Sequence, residues 1–541
     1  MSATSASPTA IDAVIVGAGF SGLYMLHRLR AQGLSVRVFE AGTGVGGTWY
    51  WNRYPGARVD IESMEYSYSF SPELEAEWEW SERYATQPEL LAYLNHVAER
   101  FDLTRDIAFE TRVTSATFDE TANRWTVITD GGEQVSARYC IMATGCLSVA
   151  NSPDFPGLES FQGKTYQTAH WPHDGVDFTG QRVGVIGTGS SAIQSIPHIA
   201  EQAAHLHVFQ RTPNFSVPAH NGPLDPALVE DWKANRAQYR QEGRETGFGI
   251  RAVEATEDLA LETPAEERTR IYEERWARGG FSLIGAFADI IVDPAANATA
   301  AQFVGGKIRE IVKDPAVAET LFPTSYPIAT KRLCVDTGYY ATFNRDNVTL
   351  VDVAKAPIQA ITPTGLRTSA AEYEFDAIVF AIGFDAMTGA LNNIDIRGRG
   401  GVALKDRWAE GPRTYLGLMV AGFPNLFTVT GPGSPSVLCN MAVAIEQHVG
   451  WIADCIEYLG GRQVAAIEAT DAAQDAWVAH VNEVADTTLY PQANSWYLGA
   501  NVPGKPRVFM PYIGGFPVYR EKCEQVAADD YEGFVLTSGG A

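Results

Sequence analysis

Two segments of the chain repeat the same order of apolar run, glycine turn and helical pattern. The first has an apolar run at 12–16, a glycine turn at 17–22, a helical run and a second apolar run at 35–40. The same order returns between residues 181 and 210, around a glycine turn at 187–192. A strand, a tight glycine turn, a helix and a strand form the first unit of a doubly wound nucleotide-binding fold. The pattern predicts an α/β protein with two Rossmann-like dinucleotide-binding domains.

The two units differ in the residue that ends their second strand. Glu40 stands 23 positions after Gly17, and Gln210 stands 23 positions after Gly187. A carboxylate at this place accepts hydrogen bonds from ribose hydroxyls and repels a 2′-phosphate. Gln210 carries no such charge, and the Arg211 that follows it can bind a phosphate with two N–H groups. The spacing therefore predicts FAD at the first turn and NADPH at the second.

Each turn presents backbone N–H groups and the positive end of a helix to a pyrophosphate. In the first unit, the predicted FAD contacts are Gly17, Gly19, Phe20, Ser21, Gly22 and Glu40. In the second unit, the predicted NADPH contacts are Gly187, Thr188, Gly189, Ser190, Ser191, Gln194 and Arg211.

Changes of pattern along the chain indicate where the domains meet. A segment with Ser, Asn and two prolines at 146–156 indicates a linker, and a charged helical pattern indicates an inserted subdomain. An apolar run at 377–382, like that at 139–143, predicts the strand at which the chain returns to the first domain. The predicted division is 1–148 for the first part of the FAD domain, 149–388 for the NADP domain with a helical insertion at about 225–325, and 389–541 for the second part of the FAD domain with a mobile loop at about 490–515.

Composition restricts the possible partners. The formal charge of −24, from 65 acidic and 41 basic residues, argues against nucleic acid and anionic membranes. The first ten residues lack the features of a signal peptide, and no apolar run reaches the length of about 18 residues that a membrane span needs. Six cysteines without a Cys-x-x-Cys pair predict buried thiols and no metal site. We expect a cytoplasmic protein that is a monomer or a weak homo-oligomer.

Two longer motifs carry a family resemblance. Residues 46–60, which include Gly46-Gly47-Thr48-Trp49 and Asp60, resemble a signature of type I Baeyer–Villiger monooxygenases. Residues 161–172 resemble a second signature of that family, except that Gln167 replaces a histidine and His170 follows three positions later. The stretches 209–213, 330–332 and 431–436 also look like parts of the phenylacetone and steroid monooxygenase branch. This similarity covers nearly the whole chain.

The resemblance implies a reaction and a set of site residues. In this family NADPH reduces FAD, oxygen adds to give a flavin C4a-peroxide, and the peroxide converts a ketone to an ester or lactone. By motif, Arg332 matches the active-site arginine and Asp60 the carboxylate that orients it. The further implied contacts are Gly47, Thr48, Trp49 and Asp60 for FAD; Arg211, Thr212, Lys331 and the loop residue Trp496 for NADPH; and Pro435, Val437 and Leu438 for the ketone.

Three alternative functions share part of this pattern. A flavin monooxygenase that oxidises sulfur or nitrogen has both nucleotide turns but less need of Asp60 and Arg332. A disulfide reductase needs a dithiol beside the flavin, whereas Cys140 and Cys146 have five residues between them and lie near a predicted strand. A nucleotide sensor without catalysis has the same turns. The identity of the ketone and the effect of Gln167 on the coupling of NADPH use to ester formation stay open at this stage.

Overall fold

The computed structural model describes residues 9–254 and 256–538. Residues 1–8, which belong to the start of the chain that lacks the sequence features of a signal peptide, lie outside the described residues. The strands are β1 Thr9–Val16, β2 Val36–Phe39, β3 Ile107–Ala108, β4 Val113–Asp119, β5 Arg124–Thr129, β6 Gln134–Met142, β7 Lys164–Gln167, β8 Arg182–Ile186, β9 His205–Gln210, β10 Ser216–Pro218, β11 Cys334–Asp336, β12 Val348–Asp352, β13 Ile358–Thr362, β14 Gly365–Thr368, β15 Glu372–Glu374, β16 Ala377–Phe380, β17 Asp395–Arg397, β18 Leu426–Thr428, β19 Val464–Ala469 and β20 Phe534–Ser538.

The α-helices alternate with these strands in both halves of the chain. They are α1 Phe20–Ala31, α2 Thr48–Trp51, α3 Pro72–Glu77, α4 Gln87–Arg100, α5 Ser190–Gln202, α6 Pro226–Glu245, α7 Ala265–Arg278, α8 Pro294–Ile311, α9 Pro315–Leu321, α10 Tyr339–Thr342, α11 Gly389–Asn392, α12 Leu404–Arg407, α13 Met441–Gly461, α14 Asp471–Asp486 and α15 Phe516–Ala528.

The first sheet has the strand order β17-β4-β5-β6-β1-β2-β3, and β18 also pairs with β6. Strand β1 runs parallel to β2 and β6, so the glycine turn after β1 opens at the carboxyl edge of the sheet. Val14 and Ile15 of β1 are fully buried, as expected for a parallel strand covered on both faces. Because β17 and β18 come from beyond residue 390, the C-terminal part of the chain completes this sheet.

The second sheet has the order β12-β9-β8-β16-β7, and all its pairs are parallel. Its central strand β8 precedes the second glycine turn, and β9 ends at Gln210. Two doubly wound sheets with helices between their strands make the fold that the repeated pattern predicts.

Helices α6 to α9 form the insertion between β10 and β11. Three of them begin with an Asp-Pro pair, and the carboxylates of Asp225, Asp293 and Asp314 accept hydrogen bonds from N–H groups of the first turn. Aspartate at the N-cap and proline at the first helical position both favour a helix start. Local sequence therefore determines where the insertion's helices begin, within the segment where the charged pattern predicted them.

Two negative findings concern the residues that the structure describes. None of their helices is long and apolar enough to cross a membrane. Nor do three or more His, Cys, Asp or Glu side chains of this part gather in a way that could hold a metal ion.

Candidate active site

The first glycine turn requires glycine for steric reasons. Gly17 has φ +104°, and a Cβ there would lie 2.6 Å from the carbonyl oxygen of Ala143. A Cβ on Gly47 would lie 2.9 Å from the Cα of Gly19, so the turn and the later signature segment approach closely. Phe20 and Ser21 begin α1 and are buried, with the equally constrained Gly22 next to them. The two segments therefore need glycine in order to approach each other this closely.

Glu40 directly follows β2 and is buried. One of its carboxylate oxygens accepts from the N–H of Ala18 at 2.8 Å, and the other accepts from Gly42 at 2.7 Å. Each oxygen has a further lone pair, so the carboxylate can still accept a ribose hydroxyl. The two backbone bonds hold the acceptor in place beside the turn.

The signature segment carries an unpartnered donor near the first turn. Gly47, with φ +53°, precedes the short helix α2, which holds Thr48 and the buried Trp49. The indole N–H of Trp49 has no hydrogen-bond partner among the described residues. A buried donor of this kind fits a polar atom of a bound group.

The second glycine turn has open space in front of it. Gly187 has φ +115° and packs against the carbonyl of Ala381, whereas a Cβ on Gly189 would meet no atom within 4 Å. Ser190 and Ser191 then begin α5, whose N-terminus points at this space. The arrangement fits a pyrophosphate at the positive end of the helix.

A cluster of cations lies beyond the second turn. Gln210 is buried, and its amide oxygen has no partner among the described residues. Arg211 is exposed, and the ammonium of Lys331 lies 4.5 Å from the ring centre of Tyr326. Burial, and then the positive charge of Arg211, lower the pKa of Lys331. Two like charges without a carboxylate partner in the described chain suit a phosphate. Next to them, the hydroxyl of Thr188 donates to the carbonyl of Thr212 at 3.0 Å.

Gln194 joins the two cofactor regions. Its amide oxygen accepts from the hydroxyl of Tyr54 at 2.9 Å, and its amide nitrogen donates to the carbonyl of Arg58 at 3.1 Å. Both partners belong to the segment that carries Asp60. Helix α5 is therefore linked directly to that segment, a contact that sequence spacing did not reveal.

Asp60 and Arg332 form a two-point ion pair. Nε of Arg332 donates to Oδ2 of Asp60 at 2.9 Å, and Nη2 donates to Oδ1 at 2.8 Å. Nη1 donates to the carbonyl of Val437 at 2.9 Å. The two residues are 272 positions apart in the chain, yet the motifs alone had paired them. A carboxylate fork fixes the plane of the guanidinium as well as its position.

The charge of Arg332 is secured by its surroundings. Burial alone would lower the pKa of this arginine, but the adjacent carboxylate of Asp60 raises it above its ordinary value. The ring centre of Phe281 lies 4.7 Å from the guanidinium carbon. Tyr497 is buried nearby, and burial raises its pKa to about 12, so its hydroxyl stays neutral. Arg332 is thus the permanent cation of this region.

An apolar wall adjoins the ion pair. Val437 and Leu438 follow Pro435 in a short helical turn, and they pack in one cluster with Tyr497 and Met510. Phe281 and Tyr497 were not among the residues predicted from sequence. Phe281 is carried by a short helical segment of the insertion, and no motif around it indicated that it would reach Arg332.

The loop with Trp496 is held against residues 384–386, which follow β16 where the chain passes between the two sheets. Trp496 is half-buried, with its ring centre 4.2 Å from that of Tyr497. The amide of Asn501 donates to the carbonyl of Phe384 at 2.7 Å. The ammonium of Lys505 donates to Asp385 Oδ1 at 2.5 Å and to the carbonyl of Ala386 at 2.7 Å.

Comparison with known proteins supports the cofactors and the reaction. A family model described as pyridine nucleotide-disulphide oxidoreductase matches residues 14–273. The Baeyer–Villiger monooxygenase of Pseudooceanicola batsensis is 45% identical over 528 residues, which cover 97% of this chain and 96% of that protein. The chain belongs to the Baeyer–Villiger monooxygenase family.

Two solved structures of this kind of enzyme match over nearly the whole length. Oxidised steroid monooxygenase bound to NADP is 58% identical, with a TM-score of 0.94 over 98% of this chain and 100% of that chain. OTEMO in complex with FAD and NADP is 41% identical, with a TM-score of 0.95 over 98% of this chain and 100% of that chain. The cofactors of this Baeyer–Villiger monooxygenase are FAD and NADPH, and ketones with O2 are its substrates. The predicted family, fold class and cofactors are confirmed.

The observations give less support to the three alternative functions. All six cysteines lie in the described part of the chain and are free, buried thiols, as predicted, and Cys140 lies in strand β6. Family membership makes the protein an enzyme rather than a nucleotide sensor. The comparisons favour ketone oxidation over oxidation of sulfur or nitrogen.

Proposed function

We propose that Arg332, held by Asp60, stabilises the negative charge that develops on oxygen as the ketone is converted to an ester. The guanidinium has five N–H hydrogens. Three of them donate to Asp60 and Val437, and the hydroxyl of Tyr497 is a further polar neighbour of the guanidinium, so at least one N–H is left for the reacting atoms. This single observation carries the proposal, because the same contacts that fix the cation leave part of its donor capacity unused.

FAD that has been reduced by NADPH supplies the activated oxygen for insertion next to the carbonyl carbon. The protein's task is then to hold a cation where anionic oxygen develops and to keep water away. Arginine suits this task better than lysine, which can lose its proton in a dry pocket. Loss of one such donor typically costs roughly 2.7–4 kcal/mol of transition-state stabilisation.

We propose that the two glycine turns hold the cofactors in the order that their strand ends indicate. FAD would lie at Gly17, Gly19 and Gly22, with its ribose on Glu40 and its ring system near Trp49. The NADPH pyrophosphate would face Gly189, and its 2′-phosphate would bind Arg211, Thr212 and Lys331. The positive charges of Arg211 and Lys331, which lie close enough for Arg211 to lower the pKa of Lys331, support this order.

For the substrate, we propose a ketone with a bulky apolar body. Val437 and Leu438 belong to an apolar cluster beside Arg332, and Pro435 directly precedes their turn. The identity of 58% to a steroid monooxygenase makes steroid ketones the first compounds to test, followed by cyclic and aryl ketones. Trp496 and the loop at 490–515 would cover the bound nicotinamide.

The domain limits and the cellular context stay predictions. We propose the FAD domain at 1–148 and 389–541 and the NADP domain at 149–388, because β17 and β18 pair with the first sheet. Limited proteolysis tests these limits. The cytoplasmic location and the monomeric or weakly oligomeric state call for cell fractionation and gel filtration.

The role of Arg332 is tested with Arg332→Ala, Arg332→Lys and Asp60→Asn, with Arg270→Ala on the exposed face of α7 as control. We expect flavin reduction by NADPH without oxygen to continue in all four proteins. In Arg332→Ala and Asp60→Asn, ester per NADPH should fall and hydrogen peroxide should replace it. Wild-type ester yield from Arg332→Ala would overturn the proposal.

A further inference from the structure

His448 is a fully buried histidine of helix α13 that the reaction does not use directly. Its Nδ1 accepts from the backbone N–H of Thr430 at 2.8 Å. Its Nε2 lies 2.9 Å from the hydroxyl of Tyr519, and that hydroxyl donates to the carbonyl of Leu416 at 2.6 Å. Both ring nitrogens are therefore occupied in a region that excludes water.

The partners determine which nitrogen carries the proton. The single hydroxyl hydrogen of Tyr519 goes to the carbonyl of Leu416, which can only accept. Nε2 of His448 must then donate to Tyr519, while Nδ1 accepts from Thr430. Burial lowers the pKa of His448 to about 3, so the ring is neutral in this fixed arrangement.

Thr430 begins a segment whose backbone is held in an unusual conformation. Thr430 has φ +55° and Ser436 has φ +44°, values that residues other than glycine rarely adopt. The carbonyl of Thr430 accepts from the hydroxyl of Ser436 at 3.0 Å and from the thiol of Cys146 at 3.2 Å. Such conformations persist only when surrounding contacts fix them.

The same segment ends at the carbonyl that Arg332 contacts. Ser436 is followed directly by Val437, whose carbonyl oxygen accepts from Nη1 of Arg332 at 2.9 Å. The chain of contacts therefore runs from Tyr519 and His448 through Thr430 and Ser436 to Val437. Asp60 fixes two N–H groups of the guanidinium from one side, and this chain fixes a third from the other.

We propose that His448 is a positioning residue for Arg332, acting through the backbone of Thr430 and the hydroxyl of Ser436. The inference rests on the proposed role of Arg332. In this proposal, His448 of α13 fixes the position of the Val437 carbonyl beside the guanidinium of Arg332. The donor capacity of Arg332 that these contacts leave unused would then be held in one orientation for the reacting atoms.

Two amide variants separate the two sides of the ring. In His448→Asn, the side-chain oxygen can take the place of Nδ1 and accept from Thr430. In His448→Gln, the longer amide can take the place of Nε2 and reach Tyr519, but the Thr430 N–H loses its acceptor. Both variants are neutral and polar, so they differ mainly in which contact they keep.

We expect His448→Gln to lower kcat for ester formation about ten-fold, equivalent to about 1.4 kcal/mol of transition-state stabilisation. KM for the ketone and flavin reduction by NADPH without oxygen should change little, and hydrogen peroxide should rise as ester falls. His448→Asn should retain most of the ester yield. If His448→Gln couples like wild type, or if both variants fall equally, the proposal is overturned.

Ser436→Ala tests the next link and serves if His448→Gln does not fold. It removes the hydroxyl that donates to the Thr430 carbonyl but leaves the contact from Cys146, so ester yield should again fall while flavin reduction continues. An unchanged yield would count against the proposal. Failure of the role of Arg332 is distinguishable, because Arg332→Ala would then still form ester whatever the His448 variants do.

Discussion

The side-chain amide of Gln167 donates a 2.6 Å hydrogen bond to the backbone carbonyl of Asn151. Asn151 belongs to the linker at 146–156. Its own N–H donates at 3.0 Å to the carbonyl of Gly383, in the segment that follows β16. In the opposite direction, the N–H of Asp385 donates to the carbonyl of Val149 at 2.8 Å. A neutral amide, at the position where the family motif has histidine, thus holds the place where these two segments between the sheets contact each other.

Substitution of Gln167 should change the coupling rather than the chemistry. In Gln167→Leu the carbonyl of Asn151 loses its donor, at a cost of about 0.5–1.5 kcal/mol for an ordinary hydrogen bond. We expect more hydrogen peroxide per NADPH and an unchanged rate of anaerobic flavin reduction. Peroxide yield at wild-type level in this variant would show that the bond does not matter for coupling.

Gln167→His should keep a hydrogen-bond donor at this position and introduce a titratable group that the natural residue lacks. A histidine has an ordinary pKa of about 6.5. Ester per NADPH should therefore gain an inflection near that pH, whereas wild type, whose amide cannot titrate, should lack it. The measurement is ester and peroxide yield across a pH series for both proteins side by side.

The affinity for NADPH should fall at alkaline pH because of Lys331. Burial and the charge of Arg211 lower the pKa of this lysine, and the charged ammonium is the form that binds a phosphate. Binding is therefore strongest below the lowered pKa and weakens as pH rises through it. KM for NADPH at several pH values measures this effect, and NADH, which has no 2′-phosphate, is the control ligand.

Two variants sharpen this prediction. Lys331→Arg should abolish the alkaline weakening, because a guanidinium stays charged. Arg211→Gln should weaken NADPH binding about ten-fold or more, the loss expected for a charged hydrogen bond of about 1.5–3 kcal/mol. It should also move the remaining pH dependence upward, since the charge that lowers the pKa of Lys331 is gone. An unchanged alkaline loss in Lys331→Arg would contradict this explanation.

Local sequence predicted the parts of the site that depend on local geometry. The spacing from Gly17 to Glu40 and from Gly187 to Gln210 follows from the length of one strand-helix-strand unit; β9 ends at Gln210, and β2 ends one residue before Glu40. Phe281 could not be found in this way, because its contact with Arg332 depends on how the insertion packs. The same holds for the hydrogen-bond partner of Gln167, because Asn151 reaches it only through the folding of the segment at 146–156.

The contact between Lys505 and Asp385 should control the loop at 490–515. Lys505 is largely buried, and its ammonium also donates to Ala386, so Lys505→Met removes two contacts with residues 384–386. We expect faster proteolysis within the loop and more hydrogen peroxide during turnover, because water enters a site that closes less often. Lys522→Met on helix α15 is a matched control. Equal proteolysis of both variants would refute the role of this contact.

The buried pair of Arg240 and Glu75 should contribute strongly to stability. Arg240 of α6 donates to Glu75 of α3 from Nε at 3.0 Å and from Nη2 at 2.8 Å, and only 8% and 10% of the two side chains are exposed. Nη1 of Arg240 also donates to the carbonyl of Glu65 at 3.0 Å. The insertion is therefore anchored to the segment that follows Asp60.

Glu75→Gln removes the charge that compensates Arg240, so the free energy of unfolding should fall by about 3–5 kcal/mol, the usual cost of an uncompensated buried charge. Glu274→Gln, which breaks the exposed pair with Arg270 on α7, should cause no measurable change because that pair is screened by water. Replacing both Arg240 and Glu75 by apolar residues should recover much of the loss, since neither charge then remains buried. Thermal unfolding of the FAD-loaded proteins measures all three, and equal stability of Glu75→Gln and Glu274→Gln would contradict the anchoring role.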